Sequence, residues 1–269
     1  MEGCQIDMRD YKLSPRAMVM VAGSSKGTQP KYYDKGFWYK ENRAGYEGKA
    51  EHLASIVLSC SNIEYFVKYE ECTINGKKGC RSQNFLKDGC SFLSFQRLYD
   101  MYFGGNLSER IITMDNPQDR IQFVKDFIKD YTGFDCSGYL SKILAFDMLI
   151  LNTDRHFNNL GIIVNTETEE CFNAPVFDNG AGLFSDCTRF PMDNSIDENL
   201  ELLYGQPFSS SLELQAHYAG TTLKIDYNKL EQFLEAEPKS RALTVLKYQL
   251  DKYKGLFNWE ELGAKYAAD

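Results

Sequence analysis

Asn152-Thr-Asp-Arg-His-Phe-Asn-Asn-Leu-Gly161, followed by Ala174-Pro-Val-Phe-Asp-Asn-Gly180, is the stretch on which the reading of this chain turns. Asp154 is followed five positions later by Asn159, and Asp178 comes after an interval patterned like a hairpin. Residues 160–164 are apolar and largely β-branched, residues 165–170 are polar and turn-like, and residues 171–177 resume an apolar run. A hairpin returns its ends to one place, so the side-chain oxygens of Asp154, Asn159 and Asp178 are expected together at its open end. Oxygen ligands of that kind suit a hard cation such as Mg²⁺, which bridges readily to nucleotide phosphates. Upstream, residues 139–151 read as a mostly apolar helix that halts at the polar Asn152, so a buried helix would deliver a polar loop.

An Asp, an Asn five residues on and a later Asp-x-Gly is the order of the catalytic loop and metal motif of protein kinases. Singly, each of these residues is common in turns and caps for local hydrogen-bonding reasons. All three in order, across a hairpin, point to phosphoryl transfer. The two segments resemble the HipA-like family of bacterial serine/threonine kinases, whose Asp-Arg-His-x-x-Asn loop is also similar to that of phosphoinositide kinases. Gly27-Thr-Gln-Pro-Lys31, Gly36-Phe-Trp-Tyr-Lys40 and Gly45-Tyr-Glu-Gly48 resemble that family's N-terminal lobe, so the likeness covers nearly all of the chain.

The resemblance implies an α+β, two-lobed protein-kinase-like fold. A small β-rich N-lobe with one helix would span residues 1–88, and a larger, mainly helical C-lobe residues 89–269. It implies ATP and Mg²⁺ as cofactors and transfer of the γ-phosphoryl group to a serine or threonine of a protein. Asp154 would orient and deprotonate the acceptor hydroxyl, Asn159 and Asp178 would hold Mg²⁺, and Arg155 and His156 would brace the loop or approach phosphate. Asn158 is a rival to Asn159 that the five-residue interval disfavours. Family members are often toxins of toxin–antitoxin pairs that phosphorylate translation components such as aminoacyl-tRNA synthetases. Some autophosphorylate a serine in the loop before the conserved glycine, which by residue match is Ser24, with Ser25 adjacent. Longer members carry a further N-terminal subdomain that contacts a DNA-binding antitoxin. This chain starts too close to its nucleotide loop for that subdomain, so the expected antitoxin would be a separately encoded partner.

The N-terminal third supplies the remaining site residues. Residues 17–22 read as a strand and Gly23, Ser24, Ser25, Lys26 and Gly27 as a small, polar loop whose backbone amides would cover phosphate oxygens. Alone, Gly23-x-x-x-Gly27 matches neither the Walker pattern nor the usual kinase loop, and reads as a surface turn. Lys40 ends an aromatic strand on the same face as Trp38. A solvent-facing lysine is the commoner fate, but the resemblance selects Lys40 for the phosphates, with Lys31 in reserve. Ala50, Leu53, Ala54, Val57 and Leu58 recur at helical spacing within residues 46–60, and Glu51 beside that stripe would orient Lys40, with Glu47 as the competing choice. Residues 63–69 and 79–86 read as further strands, with a hairpin turn at Asn75-Gly76. By order alone, Gln83, Asn84, Phe85 and Leu86 fall at the hinge whose backbone would hold adenine.

Farther along, Asn116-Pro117 reads as a helix start, residues 184–211 as a long irregular connection, and residues 227–235 and 239–253 as helices. A net charge of −8 argues against a nucleic-acid-binding surface. No stretch approaches the roughly 18 apolar residues of a membrane span and residues 1–14 lack a signal-peptide core, so a soluble, cytoplasmic protein is expected. No two of the eight cysteines lie closer than eight residues, which disfavours a zinc site, and they read as reduced and buried. His52 and His217 read as ordinary helix or loop residues. Two other readings use much of the same pattern: a phosphoinositide or small-molecule kinase, disfavoured by the lack of a basic membrane-facing run, and a nucleotide-binding pseudokinase, disfavoured by the intact Asp154, Asn159 and Asp178.

Overall fold

The computed structural model describes residues 9–19 and 29–257. A five-stranded sheet is built from β1 (Asp10–Tyr11), β2 (Lys31–Asp34), β3 (Phe37–Glu41), β4 (Tyr69–Ile74) and β5 (Lys77–Gln83) in the order β1-β4-β5-β3-β2. Helix α1 (Glu47–Ser59) lies between β3 and β4 in the chain and packs on β4 and β5. A second sheet, of β6 (Cys90–Ser94), β7 (Gly161–Asn165) and β8 (Cys171–Asn173), contains the hairpin expected between Asp154 and Asp178. The rest is helical: α2 (Phe95–Phe103), α3 (Leu107–Ile112), α4 (Pro117–Thr132), α5 (Ser137–Ile150), α6 (Ile196–Glu201), α7 (Leu212–Ala219), α8 (Tyr227–Glu235) and α9 (Arg241–Phe257).

The largest hydrophobic core surrounds α5, whose residues from Ile143 to Ile150 are all buried. This explains the largely apolar sequence of residues 143–150, because no face of that stretch meets water. The inner stripe of α1 (Leu53, Ala54, Val57 and Leu58) joins the same core. Helix α1 therefore packs on the upper sheet while anchoring in the helical body. Small clusters line the two faces of that sheet, Tyr32, Tyr39, Cys72 and Ile74 on one and Val67, Tyr69 and Cys80 on the other.

Local chemistry accounts for the boundaries. Asn75 and Gly76 both take positive φ, 51° and 85°, as the tight turn between β4 and β5 requires. Asn116 accepts the N–H of Asp119 at 2.9 Å, and Pro117 occupies the first helical position of α4. A Cβ on Gly79 would stand 2.1 Å from the carbonyl oxygen of Lys40, and one on Gly48 2.7 Å from the Gly79 backbone. These two glycines let α1 approach β3 and β5 closely, which sets the distance between Lys40 and Glu51.

Three sequence expectations are corrected. Of the strand expected at residues 17–22, Pro15–Ala17 is a 3-10 turn, Met18 makes a single bridge to Tyr32, and residues 20–22 lie outside the described residues. The strand expected at residues 63–69 begins only at Tyr69, because the preceding backbone pairs elsewhere: Val67 donates to the Val176 carbonyl and Val176 to that of Tyr65, both at 2.9 Å. The connection at residues 184–211 contains α6, whose capping box joins Ser195 and Glu198.

Candidate functional site

Helix α5 ends at Leu151 in a left-handed conformation, φ 56°, and the chain turns into the loop 152–159. Buried Asn152 fixes the turn by donating from Nδ2 to Oδ1 of Asp147 at 2.9 Å and accepting the N–H of Asp154 at 3.2 Å. Arg155 is fully buried beneath the loop. Its Nε and Nη2 meet the two oxygens of Asp147 at 2.8 Å each, Nη1 donates to the Phe177 carbonyl at 2.6 Å, and Nη2 also reaches Oδ1 of Asn179 at 2.6 Å. Burial works against its charge, but Asp147 more than compensates and holds the guanidinium above its ordinary value. Of the two placements open in the sequence, Arg155 takes that of a brace. It is not a cleft residue, since its planar fork is spent on one carboxylate and two carbonyl-type acceptors.

Asp154 and Asp178 line one cleft of about 410 Å³, together with Gln29, Glu47, Ser185 and Thr188. Asn159 is buried behind Asp154, its Nδ2 donating to the Asp154 carbonyl at 3.4 Å, and is not among the residues that line the cleft, whereas Asn158 is exposed and its Oδ1 accepts from the Ser94 hydroxyl at 3.5 Å. His156 lies close enough to Asp178 to help hold that carboxylate charged, and its buried Nδ1 has no partner among the described residues.

Lys40 is the electrostatic centre of the site. Its ammonium sits 2.7 Å from Oε1 of Glu51 and 2.7 Å from Oδ1 of Asp178, with the Tyr69 hydroxyl at 3.4 Å. Burial alone would depress the lysine, yet Asp178 and then Glu51 keep it well above its ordinary value. Burial likewise opposes the charge on Asp178, but Lys40, then Lys31, hold its carboxyl well below the usual range. Asp178 itself adopts a left-handed backbone, φ 57°, uncommon for a residue with a side chain and frequent at functional loops. Between the two glutamates left open by the sequence, Glu51 meets the lysine. Glu47 instead accepts the N–H groups of Arg43 and Ala44, at 3.2 and 2.7 Å. Lys31 pairs across the strands with Lys40 and places its Nζ 3.9 Å from Oδ2 of Asp178, so the reserve lysine also belongs to the site.

Gln83 ends β5, and Asn84, Phe85 and Leu86 begin the link towards β6. Asn84 is tied back by its N–H to the Gly36 carbonyl at 2.8 Å and by the Trp38 indole at 3.3 Å, while the Phe85 ring rests on Phe92 and Phe177. Gly23, Ser24, Ser25, Lys26 and Gly27 lie outside the described residues.

Two features escaped the sequence reading. Gln206, in the α6–α7 loop, donates to Oδ1 of Asp154 at 2.7 Å, a contact with no local signal because the residues are 52 positions apart. His52, read as ordinary, belongs to a cluster in which single ligand atoms of His52, Glu71 and Glu237 lie within 4.8 Å of one another. The cation of that cluster is Lys49, whose Nζ meets Glu71 at 2.9 Å and Glu237 at 2.6 Å. We therefore read an ion cluster there and not a metal centre.

No protein-family model and no curated protein matches the chain. Among solved structures it is similar to the Helicobacter pylori proinflammatory kinase CtkA, with a TM-score of 0.63 and 16% identity over 93% of this chain and 95% of that one. The chain has a kinase-like fold. HipA of Shewanella oneidensis MR-1, solved with HipB and operator DNA, is matched with a TM-score of 0.39 and 12% identity over 90% of this chain and 67% of that one. The expectation of an α+β, kinase-like architecture is met at the level of fold. Among the described residues, no helix is long and apolar enough to cross a membrane.

Proposed function

We propose that this chain is an ATP- and Mg²⁺-dependent kinase that transfers the γ-phosphoryl group to a serine or threonine hydroxyl of a protein. The observation that carries this reading is the placement of Lys40 between Glu51 and Asp178, at the edge of a cleft that also holds Asp154. The donor chemistry fits Mg²⁺, since Asp178 is held ionised and Asn159 supplies a carboxamide oxygen from the loop that carries Asp154, its Nδ2 being turned to the Asp154 carbonyl. When bound, the metal would neutralise charge on the phosphates. The chain's own residues would do the rest. Lys40 and Lys31 would hold phosphate oxygens. Asp154 would take the proton of the acceptor hydroxyl as its oxygen bonds to the γ-phosphorus. The bond from that phosphorus to the bridging oxygen would break, and ADP would leave with the electron pair. Positioning and charge complementarity supply the rate.

The finer assignments rest on the family resemblance. They are adenine held by the backbone of 83–86, phosphate covered by Gly23–Gly27, and autophosphorylation at Ser24 or Ser25. To them we add a translation factor such as an aminoacyl-tRNA synthetase as acceptor, a separately encoded antitoxin, and action in the cytoplasm. The division into an N-lobe of residues 1–88 and a C-lobe of 89–269 belongs with them.

Labelled ATP, Mg²⁺ and a panel of protein, phosphoinositide and small-molecule acceptors test the reading. Protein serine or threonine should become labelled, EDTA should stop transfer, and Asp178→Asn should lower it at least about 100-fold with the melting temperature retained. Near-normal transfer by Asp178→Asn overturns the mechanism, and label confined to lipid or small molecules overturns the acceptor class.

A further inference from the structure

Gln206 reaches Asp154 from outside the catalytic hairpin. Its Nε2 donates to Oδ1 of Asp154 at 2.7 Å and to the Thr153 carbonyl at 3.0 Å. The loop that carries it is held from behind. Fully buried Gln215 on α7 donates to the Gln206 carbonyl at 3.2 Å and accepts the N–H of Phe208 at 3.4 Å. The N–H of Gly205 donates to the Ser210 carbonyl at 2.7 Å, and Arg120 on α4 donates to the Phe208 carbonyl at 3.0 Å. Gln206 is thus mounted on a bracket fastened to two helices.

The torsion that orients a carboxylate plane is soft, with broad wells, whereas a general base has to present one oxygen at hydrogen-bonding distance from the proton it accepts. Oδ1 of Asp154 is occupied by the Gln206 amide, and among the described residues Oδ2 accepts no hydrogen bond. We propose that Gln206 is the positioning residue for the phosphoacceptor base: it fixes the carboxylate plane of Asp154 and reserves Oδ2 for the acceptor's proton. This inference rests on the kinase reading above. A glutamine suits the task because its amide donates without introducing a charge that would compete for the carboxylate.

The test uses the full chain with Gln206→Met, which keeps the volume and removes the donor, and Gln206→Glu. Gln206→Met should lower kcat about 10- to 100-fold and leave the KM for ATP within about twofold. Gln206→Glu should be impaired at about pH 8 and regain activity towards about pH 6, where a proton shared by two carboxyls restores an O–H donor; the wild type should show no such gain. A Gln206→Met protein with wild-type kcat overturns the proposal. Should that variant unfold, absence of acid recovery in Gln206→Glu overturns it instead. A wild type that binds ATP and Mg²⁺ but transfers nothing defeats the kinase reading itself, an outcome distinct from an active wild type indifferent to residue 206.

Discussion

Oε2 of Glu51 accepts the backbone N–H of Asn179 at 2.8 Å, so the carboxylate that orients Lys40 also fastens α1 to the segment after Asp178. The contact continues inward, because Oδ1 of Asn179 accepts from Arg155, which is paired with Asp147 on α5. A file of polar groups thereby runs from β3 through α1 and the loop 152–159 to the central helix. Protein kinases place an aromatic residue at the middle of Asp-Phe-Gly; here a fully buried carboxamide occupies that position.

Asn179→Leu keeps the branching of the side chain and should break the file at Arg155. It removes an acceptor from a buried guanidinium, a loss of about 1.5–3 kcal/mol. Urea denaturation would show the drop, and phosphotransfer should fall with it as Arg155 loses the Asn179 Oδ1 acceptor, while Glu51 keeps the backbone N–H of residue 179. A midpoint equal to wild type would show that the contact is not part of the fold's stability.

Arg155→Met should be harsher, because it strands the Asp147 carboxylate in the core at a cost of about 3–5 kcal/mol. Pairing it with Asp147→Leu removes both charges, and stability should recover in large part. The double-variant cycle, read by chemical denaturation, isolates the coupling. If the double variant is no more stable than Arg155→Met alone, the ion pair is not what Arg155 contributes.

The cluster beside α1 should impose a pH dependence. Glu237 meets Lys49 at 2.6 Å and His52 Nε2 at 3.0 Å, while the other His52 nitrogen donates to the Tyr69 carbonyl at 3.1 Å. Burial opposes charge on His52, but Glu237 holds it above its ordinary value of 6.5. Its contribution is therefore complete below that value and is lost as pH rises through the elevated one. Burial also opposes charge on Glu237, but His52 and Lys49 bring it from 4.5 to about 2. That share is complete above about 4.5 and disappears as pH falls towards 2. The gap in melting temperature between wild type and Glu237→Gln should be widest from 4.5 to 6.5 and narrow on both sides. On the alkaline side some of it should persist through Lys49. A gap independent of pH would remove His52 from the account.

Much of this was legible in the sequence, and the reasons differ by element. The loop 152–159, the hairpin and Asp178 could be read because their spacing is local and their backbone turns depend on residue type. Periodicity gave the strand face of Lys40 and the helix stripe beside Glu51, but the family resemblance selected that lysine, and Lys31 and Glu47 stayed open because a charged residue's partner is not written in its own element. Gln206 and Glu237 could not be read that way. Their partners are 52 and 185 positions distant, and neither glutamine nor glutamate in a loop carries a pattern that announces a partner. Arg155 shows the opposite limit: its motif marked it as important, yet only burial distinguishes a brace from a phosphate contact.

Helix α1 is riveted at both flanks, through Lys49 and His52 to the linker ahead of α9 and through Glu51 to the loop after Asp178. A helix held in that way does not act as a shutter, because swinging it outward would strip several buried charges of their partners at once. If the proposed chemistry is throttled, the valve then sits upstream, in the supply of nucleotide or the admission of the acceptor to the mouth of the cleft.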